Sequence, residues 1–243
     1  MTDVYSYSKV NLFETCALKY KYHYIDKVEI EKYPNADDPL ILGKSMDTGI
    51  EHGFQAAEDY YRSQYPFVNQ ASEVELTKLK YWIEKLQPIF ARGQFQIELT
   101  KDGFIGYADW YGDWFGDKCL VDFKYAKPLS ADRYAQSAQL HLYYNIMTQL
   151  GYEIDKMYYL IIPKTGIRQK KSESSKMFYD RLMDTLESTE IIEVPVDYDE
   201  RKLVHFGKSI EDITMANVHN DFPAKPSTLC GWCDYKTICP ANH

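Results

Sequence analysis

The sequence predicts a mixed α/β (α+β) fold in which helices flank a mixed sheet. Helical periodicity runs through residue 90, and it changes to a strand pattern at residue 95. Two short connections that contain glycine join the first three predicted strands, which favours antiparallel hairpins. A long amphipathic helix then precedes the apolar segment 157–162, which is typical of a buried strand.

The predicted elements follow one another without an internal repeat or a clear linker. The first helix covers 8–25, where Ser8 can act as the N-cap and Val10, Ala17 and Tyr20 recur at helical spacing. Further helices are predicted at about 43–61, 72–90, 131–150, 175–187 and 199–219, and strands at about 95–99, 104–111, 118–124, 157–162 and 191–195. Residues 1–243 are therefore predicted to form a single domain, with 220–243 as an appendage.

The composition indicates a globular protein. The chain has 243 residues, a hydrophobic fraction of 45% and a formal net charge of −8, so it can bury a sizeable core. Net acidity argues against a protein that coats nucleic acid through bulk charge, but it permits an enzyme with a local basic groove. The sequence has no apolar run of the ~18 residues that span a bilayer and no signal-peptide pattern. These features predict a soluble, intracellular (cytoplasmic) protein without a membrane partner.

The spacing of the cysteines indicates a metal site. Cys230, Cys233 and Cys239 fall within ten residues, and disulfides are rare inside cells. Cys16 is the best candidate for a fourth ligand, because Cys119 lies in a predicted strand where a small buried thiol is expected. This three-plus-one grouping suits a [4Fe–4S] cluster better than zinc. Unliganded thiols are the remaining alternative.

A cluster bound by these cysteines would join the two ends of the chain. Cys16 and Cys230 are 214 positions apart. The helix around Cys16 and residues 220–243 would form a clasp around the cluster, which has a structural role and requires no electron transfer.

Two acids and a lysine lie on neighbouring predicted strands. Asp109 ends the segment Ile105–Asp109, and Asp122 and Lys124 form an Asp-x-Lys pattern on the next strand. Strand side chains alternate, so Asp122 and Lys124 share a face, and a hairpin partner can bring Asp109 beside them. A divalent cation could neutralise the acids while the lysine orients a water or stabilises charge on a phosphate. The alternative is a surface row of acids with a salt-bridging lysine.

Six short segments occur in an order that is found in a known family. They are Ser6–Val10 with Cys16–Tyr20, Leu42–Met46, Gly106–Asp109, Val121–Lys124, Gln139–Tyr143 and the C-terminal cysteine triplet. In this order they resemble the RecB-like branch of the PD-(D/E)XK nucleases, specifically the members with an iron–sulfur cluster, such as AddB-type nuclease domains and the CRISPR adaptation exonuclease. The resemblance implies a restriction-endonuclease-like core closed by the cluster.

The resemblance also implies a role for each site residue. Asp109 and Asp122 would bind Mg²⁺ or Mn²⁺, and Lys124 would position the attacking water. Gln139 and Tyr143, four apart on one helical face, would lie against the substrate backbone. The alternative for these two is an ordinary polar helix edge.

One position departs from the family pattern. Similar sequences have a metal-binding His four residues after the glycine, where this chain has Asp47. A carboxylate can bind a hard cation through oxygen, so Asp47 is predicted to be a metal ligand. The alternatives are that Glu51, one helical turn further on, or His52 compensates, or that the site is weakened.

These observations lead to three hypotheses on function. The first is a Mg/Mn-dependent deoxyribonuclease, with an exonuclease on single-stranded DNA or DNA ends favoured. The second is a catalytically weakened nucleic-acid-binding subunit of a recombination or repair complex. The third is a zinc-stabilised structural module. The sequence has no helicase motifs, so any unwinding requires a helicase or recombination partner, and a viral or mobile-element origin is compatible with the length.

Overall fold

A five-stranded mixed sheet lies at the centre of the residues described by the computed structural model, which are 4–31, 33–128 and 131–242. The strands lie side by side in chain order: β1 (Gln94–Lys101), β2 (Phe104–Trp114), β3 (Asp117–Ala126), β4 (Lys156–Pro163) and β5 (Ile192–Val196). The helices are α1 (Tyr7–Thr15), α2 (Ala17–Tyr20), α3 (Pro39–His52), α4 (Phe54–Gln64), α5 (Gln70–Phe90), α6 (Ala131–Ala135), α7 (Gln139–Gln149), α8 (Ser175–Glu187) and α9 (Arg201–His219). The predicted fold class is confirmed, and the arrangement is consistent with a restriction-endonuclease-like core.

The strand directions follow from the connections between the strands. β1, β2 and β3 are antiparallel, as the short connections predict. β3 and β4 are parallel, because α6 and α7 carry the chain back across the sheet between them. β2 and β3 are longer than predicted, since Gly112 and Asp113 continue the ladder opposite Cys119 and Lys118. The turn then needs only Phe115 and Gly116, both of which have positive φ (54° and 89°).

The predicted first helix is interrupted at Cys16. This residue has an extended backbone (φ −166°, ψ 112°) between α1 and α2, and a π-helical turn, Lys21–Ile25, follows α2. The predicted N-cap at Ser8 is wrong, because the Ser6 hydroxyl accepts the Lys9 amide at 3.2 Å. Beyond the break, the Leu18 amide donates to the Pro223 carbonyl. The C-terminal segment thus binds the chain where the helix is broken.

Two other segments that were predicted as single helices are each divided into two helices in the structure. The helix predicted at 43–61 begins at Pro39, after an Asp38 cap, and is divided at Gly53, whose φ of 92° is the left-handed conformation that glycine tolerates. The helix predicted at 131–150 is divided into α6 and α7 by residues 136–138. The second division matters for function, because α7 begins at Gln139.

The sheet separates two apolar cores. One contains buried residues of α1, α2, α7 and α9, and the other contains those of α3, α4, α5 and α8. Successive residues of β3 alternate between them, since Leu120 belongs to the first core and Val121 to the second. Both faces of the sheet are therefore covered by helices.

Within residues 4–31, 33–128 and 131–242, no helix is both long and apolar enough to cross a bilayer.

Candidate active site

Asp109 lies where β2 and β3 separate. The paired register of these strands ends at Trp110 opposite Val121. Beyond this point the Asp109 carboxylate, through Oδ2, accepts the Phe123 amide at 3.0 Å, and Oδ1 accepts the Gln96 side-chain amide at 3.4 Å. The side chain thus satisfies a backbone donor of β3 and is held beside Asp122, the residue that precedes Phe123 on that strand.

Asp122 and Lys124 project from the same face of β3, as the alternation predicts. The Lys124 ammonium forms an ion pair with Oδ2 of Asp122, whose side chain is 1% exposed. Among the described residues, Oδ1 of Asp122 has no hydrogen-bond partner. Burial raises the pKa of Asp122, whereas the pKa of Lys124 is raised, against the effect of its own burial, by Asp122 and Asp109. Lys124 therefore stays protonated and acts as a charged hydrogen-bond donor.

Asp47 approaches Asp122 and Lys124 from α3, one of the helices that pack in the second core. It follows Met46, which is fully buried, on α3, and α3 packs against β3. Burial raises the pKa of Asp47 to about 7; Lys124 and Lys44 lower it, and Asp122 raises it further. The two alternative ligands, Glu51 and His52, lie on the same helix and form a pair with each other, with Glu51 Oε1 3.5 Å from His52 Nε2. The His52 side chain is 60% exposed.

The three carboxylates and one lysine leave an excess of negative charge. Burial is the main cause of the raised pKa of Asp109, and Asp122 and Asp47 add to it. Oxygen donors with such a charge fit a hard divalent cation. In the described part of the chain, no group of three or more His, Cys, Asp or Glu side chains is arranged to hold a metal ion. The carboxylates would therefore have to draw closer together to share one.

Asp47→Asn should stabilise the metal-free protein in a pH-dependent way. The folded pKa of about 7 exceeds the ordinary 3.8, so the folded chain holds the extra proton and loses stability as pH rises between these values. The shift sets an upper limit of about 4 kcal/mol. We expect about 1 to 2 kcal/mol, because Asp47 is only partly buried and solvent screens its charge.

Thermal unfolding in EDTA tests this expectation. Asp47→Asn should melt above the wild type at about pH 8 and close to it at about pH 5. With Mg²⁺ at about pH 8 the wild type should gain stability and the variant should gain less. Equal melting of the two proteins at both pH values would show that Asp47 carries no unfavourable charge.

Gln139 and Tyr143 extend the network from Lys124. Gln139 Oε1 accepts from the Lys124 ammonium at 3.3 Å, and Gln139 Nε2 donates to the Tyr143 hydroxyl at 3.2 Å. Burial, with Asp122 second, raises the pKa of Tyr143 to about 12, so its hydroxyl stays protonated. Gly106 permits this packing, since a Cβ there would lie 2.9 Å from the Tyr143 ring. Gln139 therefore contacts Lys124 directly, and Tyr143 is linked to the lysine through Gln139.

A groove of about 850 Å³ opens beside Lys124, Gln139 and Tyr143. Its wall includes the start of α1, the start of β2, the α6–α7 connection and α9. Arg133, Lys202 and His205 add cationic or titratable groups, and Glu14 pairs with His205 at 3.3 Å. The net acidic chain thus contains a local groove with basic groups that leads to Lys124.

The groove contains residues that the sequence did not single out. The Ser137 hydroxyl donates to the Tyr7 hydroxyl at 2.9 Å and accepts the Gln139 amide at 3.2 Å, so it holds the first residue of α7. The Lys124 ammonium lies 5.8 Å from the ring centroids of Tyr134, which lines the groove, and of Tyr159, which is buried in the core and outside the groove lining. No local pattern marks these residues, because they meet only through tertiary packing.

Four cysteines line one cavity, which has a volume of about 170 Å³, between the α1–α2 break and the C-terminal segment. They are Cys16, Cys230, Cys233 and Cys239. The Lys225 amide donates to Cys16 Sγ at 3.5 Å and the Ser227 amide to Cys230 Sγ at 3.3 Å. These cysteines are not arranged around a single ion, since no metal-holding group occurs among the described residues.

Cys119 is separate from this cavity. Its side chain is buried on β3, with 1% exposure, in the core that contains α3, α4, α5 and α8. Burial, with Asp117 second, raises the pKa of the thiol to about 11. The expectation of a small buried thiol is thus confirmed, and this residue would be a poor thiolate ligand.

Of the comparisons with known proteins, one identifies a family. No curated protein matches the sequence. The similar solved structures include the crystal structure of SSO0001, which is 16% identical over 96% of each chain with a TM-score of 0.39; a similarity this weak adds nothing to the assignment. The profile of the PD-(D/E)XK nuclease superfamily matches residues 4–240, nearly the whole chain. The chain therefore belongs to the PD-(D/E)XK nuclease superfamily.

Proposed function

We propose that the protein is a Mg²⁺- or Mn²⁺-dependent deoxyribonuclease of the RecB-like branch, acting as an exonuclease on single-stranded DNA or DNA ends. The observation that carries the proposal is the convergence of Asp47, Asp109, Asp122 and Lys124, in which three acids face one lysine. These acids would hold the cation, which would supply positive charge against the phosphate in the transition state. Residues 1–243 would form one nuclease domain.

The side chains of this site have distinct roles in the proposal. Lys124 is charged and partly exposed to the groove (22%), so it can donate to a water or to a phosphate oxygen. Gln139 accepts from the lysine and fixes its position. The Tyr143 hydroxyl, being protonated, can donate to a phosphate oxygen of the bound strand. Substrate would reach Lys124 through the groove between α1, α7 and α9.

We further propose that Cys16, Cys230, Cys233 and Cys239 bind a [4Fe–4S] cluster that closes a clasp between the helix around Cys16 and residues 220–243. Their common cavity supports this assignment. The grouping of three neighbouring cysteines with a distant fourth, rather than two close pairs, is what favours a cluster over zinc in this proposal.

Direct contacts between protein groups also join the two ends of the chain, and they support the proposed clasp. The Lys225 ammonium donates to the Glu14 carbonyl at 3.0 Å. The rings of Tyr22 and Tyr235 lie 5.3 Å apart, and the Tyr235 hydroxyl lies 3.3 Å from His23 Nδ1. The clasp would add a strong, local cross-link to a contact that already exists.

A cleavage assay tests the nuclease proposal. Anaerobically purified protein is incubated with end-labelled linear DNA, single-stranded or duplex, and with circular single-stranded DNA. Mg²⁺ or Mn²⁺ should support degradation of the linear strands, EDTA should stop it, and the circle should survive if free ends are required. Cleavage of the circular DNA would show that the protein is an endonuclease and not an exonuclease. RNA substrates in parallel reactions show whether the protein prefers DNA or RNA.

The second candidate is a weakened, nucleic-acid-binding subunit of a recombination or repair complex. Asp47 in place of the family's histidine favours it, because a third carboxylate changes the ligand set. Asp47→His should restore an imidazole and raise the activity with Mn²⁺ relative to Mg²⁺. A wild type that is inactive with both metals, together with an active Asp47→His variant, would support the binding subunit. A helicase partner would then supply the unwinding.

A further inference from the structure

A basic segment, residues 164–181, stands out from an otherwise acidic chain. It contains six Lys or Arg and two Asp or Glu, whereas the other residues contain 22 Lys or Arg and 34 Asp or Glu. The exposed cations in it are Arg168, Lys170, Lys171 and Lys176. Such local charge reversal is typical of a surface that meets a polyanion.

The acid within the loop is turned inward. Glu173 accepts from Arg181 at 2.6 and 2.7 Å, and it also accepts the Lys170 amide at 3.0 Å. Arg181 is the main cause of its low pKa, about 2. The charge of Glu173 is therefore balanced by Arg181 on the inner side, and the outward side of the loop presents cations.

Buried contacts hold the segment in one shape. The Lys78 ammonium, which is paired with Glu75 at 2.7 Å in the interior, donates to the Thr165 carbonyl at 3.0 Å. Arg181 donates to the Arg168 carbonyl at 3.0 Å, and Ile167 packs against the core. An ordered surface loses little conformational entropy on binding. The segment is thus a pre-formed cationic surface.

The basic segment begins at the C-terminal end of β4, next to the end of β3 that carries Lys124. β3 and β4 are parallel, with Lys124 opposite Ile161 and Ala126 opposite Pro163, and the Lys164 amide donates to the Ala126 carbonyl. At ~3.3 Å per residue, Lys164 lies roughly 10 Å beyond the level of Lys124. The Lys164 ammonium itself is held by the Asp37 carbonyl, so the free cations are those further along the loop.

We propose that Arg168, Lys170 and Lys171 bind the phosphate backbone of the nucleic-acid strand beyond the catalytic site, on the side of the sheet opposite to the groove. The inference rests on the proposed nuclease function, because that function supplies the polyanion at this edge. These contacts to the backbone would not depend on the base sequence of the strand. They should raise affinity and hold the strand while its end is in the active site.

The test compares two triple variants that remove the same charge. Arg168→Gln, Lys170→Gln and Lys171→Gln alter the basic segment. Lys80→Gln, Lys85→Gln and Arg92→Gln alter exposed cations of α5 and the turn after it. Binding of single-stranded DNA of about 20 and about four nucleotides is measured across a salt series. It is measured in the Lys124→Ala background, where no cleavage is expected, and cleavage kinetics use the triple variants with Lys124 intact.

We expect the basic-segment variant to bind the long strand about 10 to 100 times more weakly at physiological salt, with the salt slope smaller by about 2. Its KM for the long strand should rise with kcat unchanged, and the short strand should be unaffected. Unchanged affinity and slope would overturn the inference, and so would an equal loss in the α5 variant. Loss of binding to poly-glutamate, with DNA binding intact, would assign the surface to an acidic protein instead.

The outcomes separate this inference from the nuclease proposal. If the wild type cleaves DNA and the basic-segment variant behaves like it, the inference fails and the nuclease proposal stands. If the wild type neither binds nor cleaves nucleic acid, both fail. Melting temperatures of both triple variants should match the wild type, since all six side chains are exposed. A double variant, Lys170→Gln with Lys171→Gln, replaces the triple if Arg168→Gln perturbs the loop.

Discussion

Lys124→Ala should abolish metal-dependent DNA cleavage while the fold remains intact. The Lys124 ammonium is the positive side chain that pairs with buried Asp122, and it faces the groove through which substrate would approach. Loss of one such preorganised charge lowers turnover by about 10²- to 10³-fold or more. Asp122→Ala should have an equal effect, because it removes a carboxylate that we propose as a ligand of the cation. Steady-state cleavage of end-labelled DNA with Mg²⁺ measures both.

Lys118→Ala is the matched control. Lys118 lies on the same strand and the same face, six residues before Lys124, and it pairs with Asp113 on the surface at 2.9 Å. We expect wild-type cleavage from this variant. DNA binding by Lys124→Ala should fall less than cleavage, since other phosphate contacts remain. Undiminished cleavage by Lys124→Ala would mean a contaminating nuclease or a different active site.

The sequence was sufficient to predict the part of the site that depends on local geometry. Alternation along β3 places Asp122 and Lys124 on one face whatever the rest of the fold does. The short connection between β2 and β3 restricts Asp109 to the neighbouring position. Periodicity likewise located six helical segments and five strands, because apolar spacing is a property of the chain itself.

The helix breaks could not be read from periodicity. At Cys16 and Gly53 the apolar stripe continues across the break, so the pattern predicts one helix where the backbone forms two. The break at Cys16 coincides with the binding of Pro223 and Lys225, which are more than 200 residues away in the chain. Contacts at that separation leave no local signal.

The approach of Asp47 to Asp122 is of the same kind. It depends on how α3 docks on β3, which is a matter of packing between Leu42, Met46 and the sheet. The resemblance to a family suggested this position from the glycine before it. The residue itself departs from that family, so only the structure shows that its pKa is raised and that Asp122 and Lys124 are its neighbours.

Cys16→Ser should remove the proposed cluster and strongly destabilise the protein. Its sulfur lies at the break between α1 and α2 and accepts the amide of Lys225 from the C-terminal segment. A metal centre that joins the chain ends contributes its binding free energy to folding. If only about 3 kcal/mol of this is lost, the melting temperature falls by roughly 6 to 12 °C. Visible absorption, iron content and thermal unfolding of anaerobically purified protein measure the effect.

Cys119→Ser is the control, because it removes a thiol that lies outside the cavity and is buried in the other core. It should keep iron and colour, with a small loss of stability from placing a hydroxyl in an apolar site. Cys230→Ser, Cys233→Ser and Cys239→Ser should each behave like Cys16→Ser. If colour survives Cys16→Ser but is lost in Cys119→Ser, the fourth ligand is Cys119. If zinc replaces iron in the wild type, the clasp is a zinc site, and the sulfurs must close further around one ion than they do in the structure.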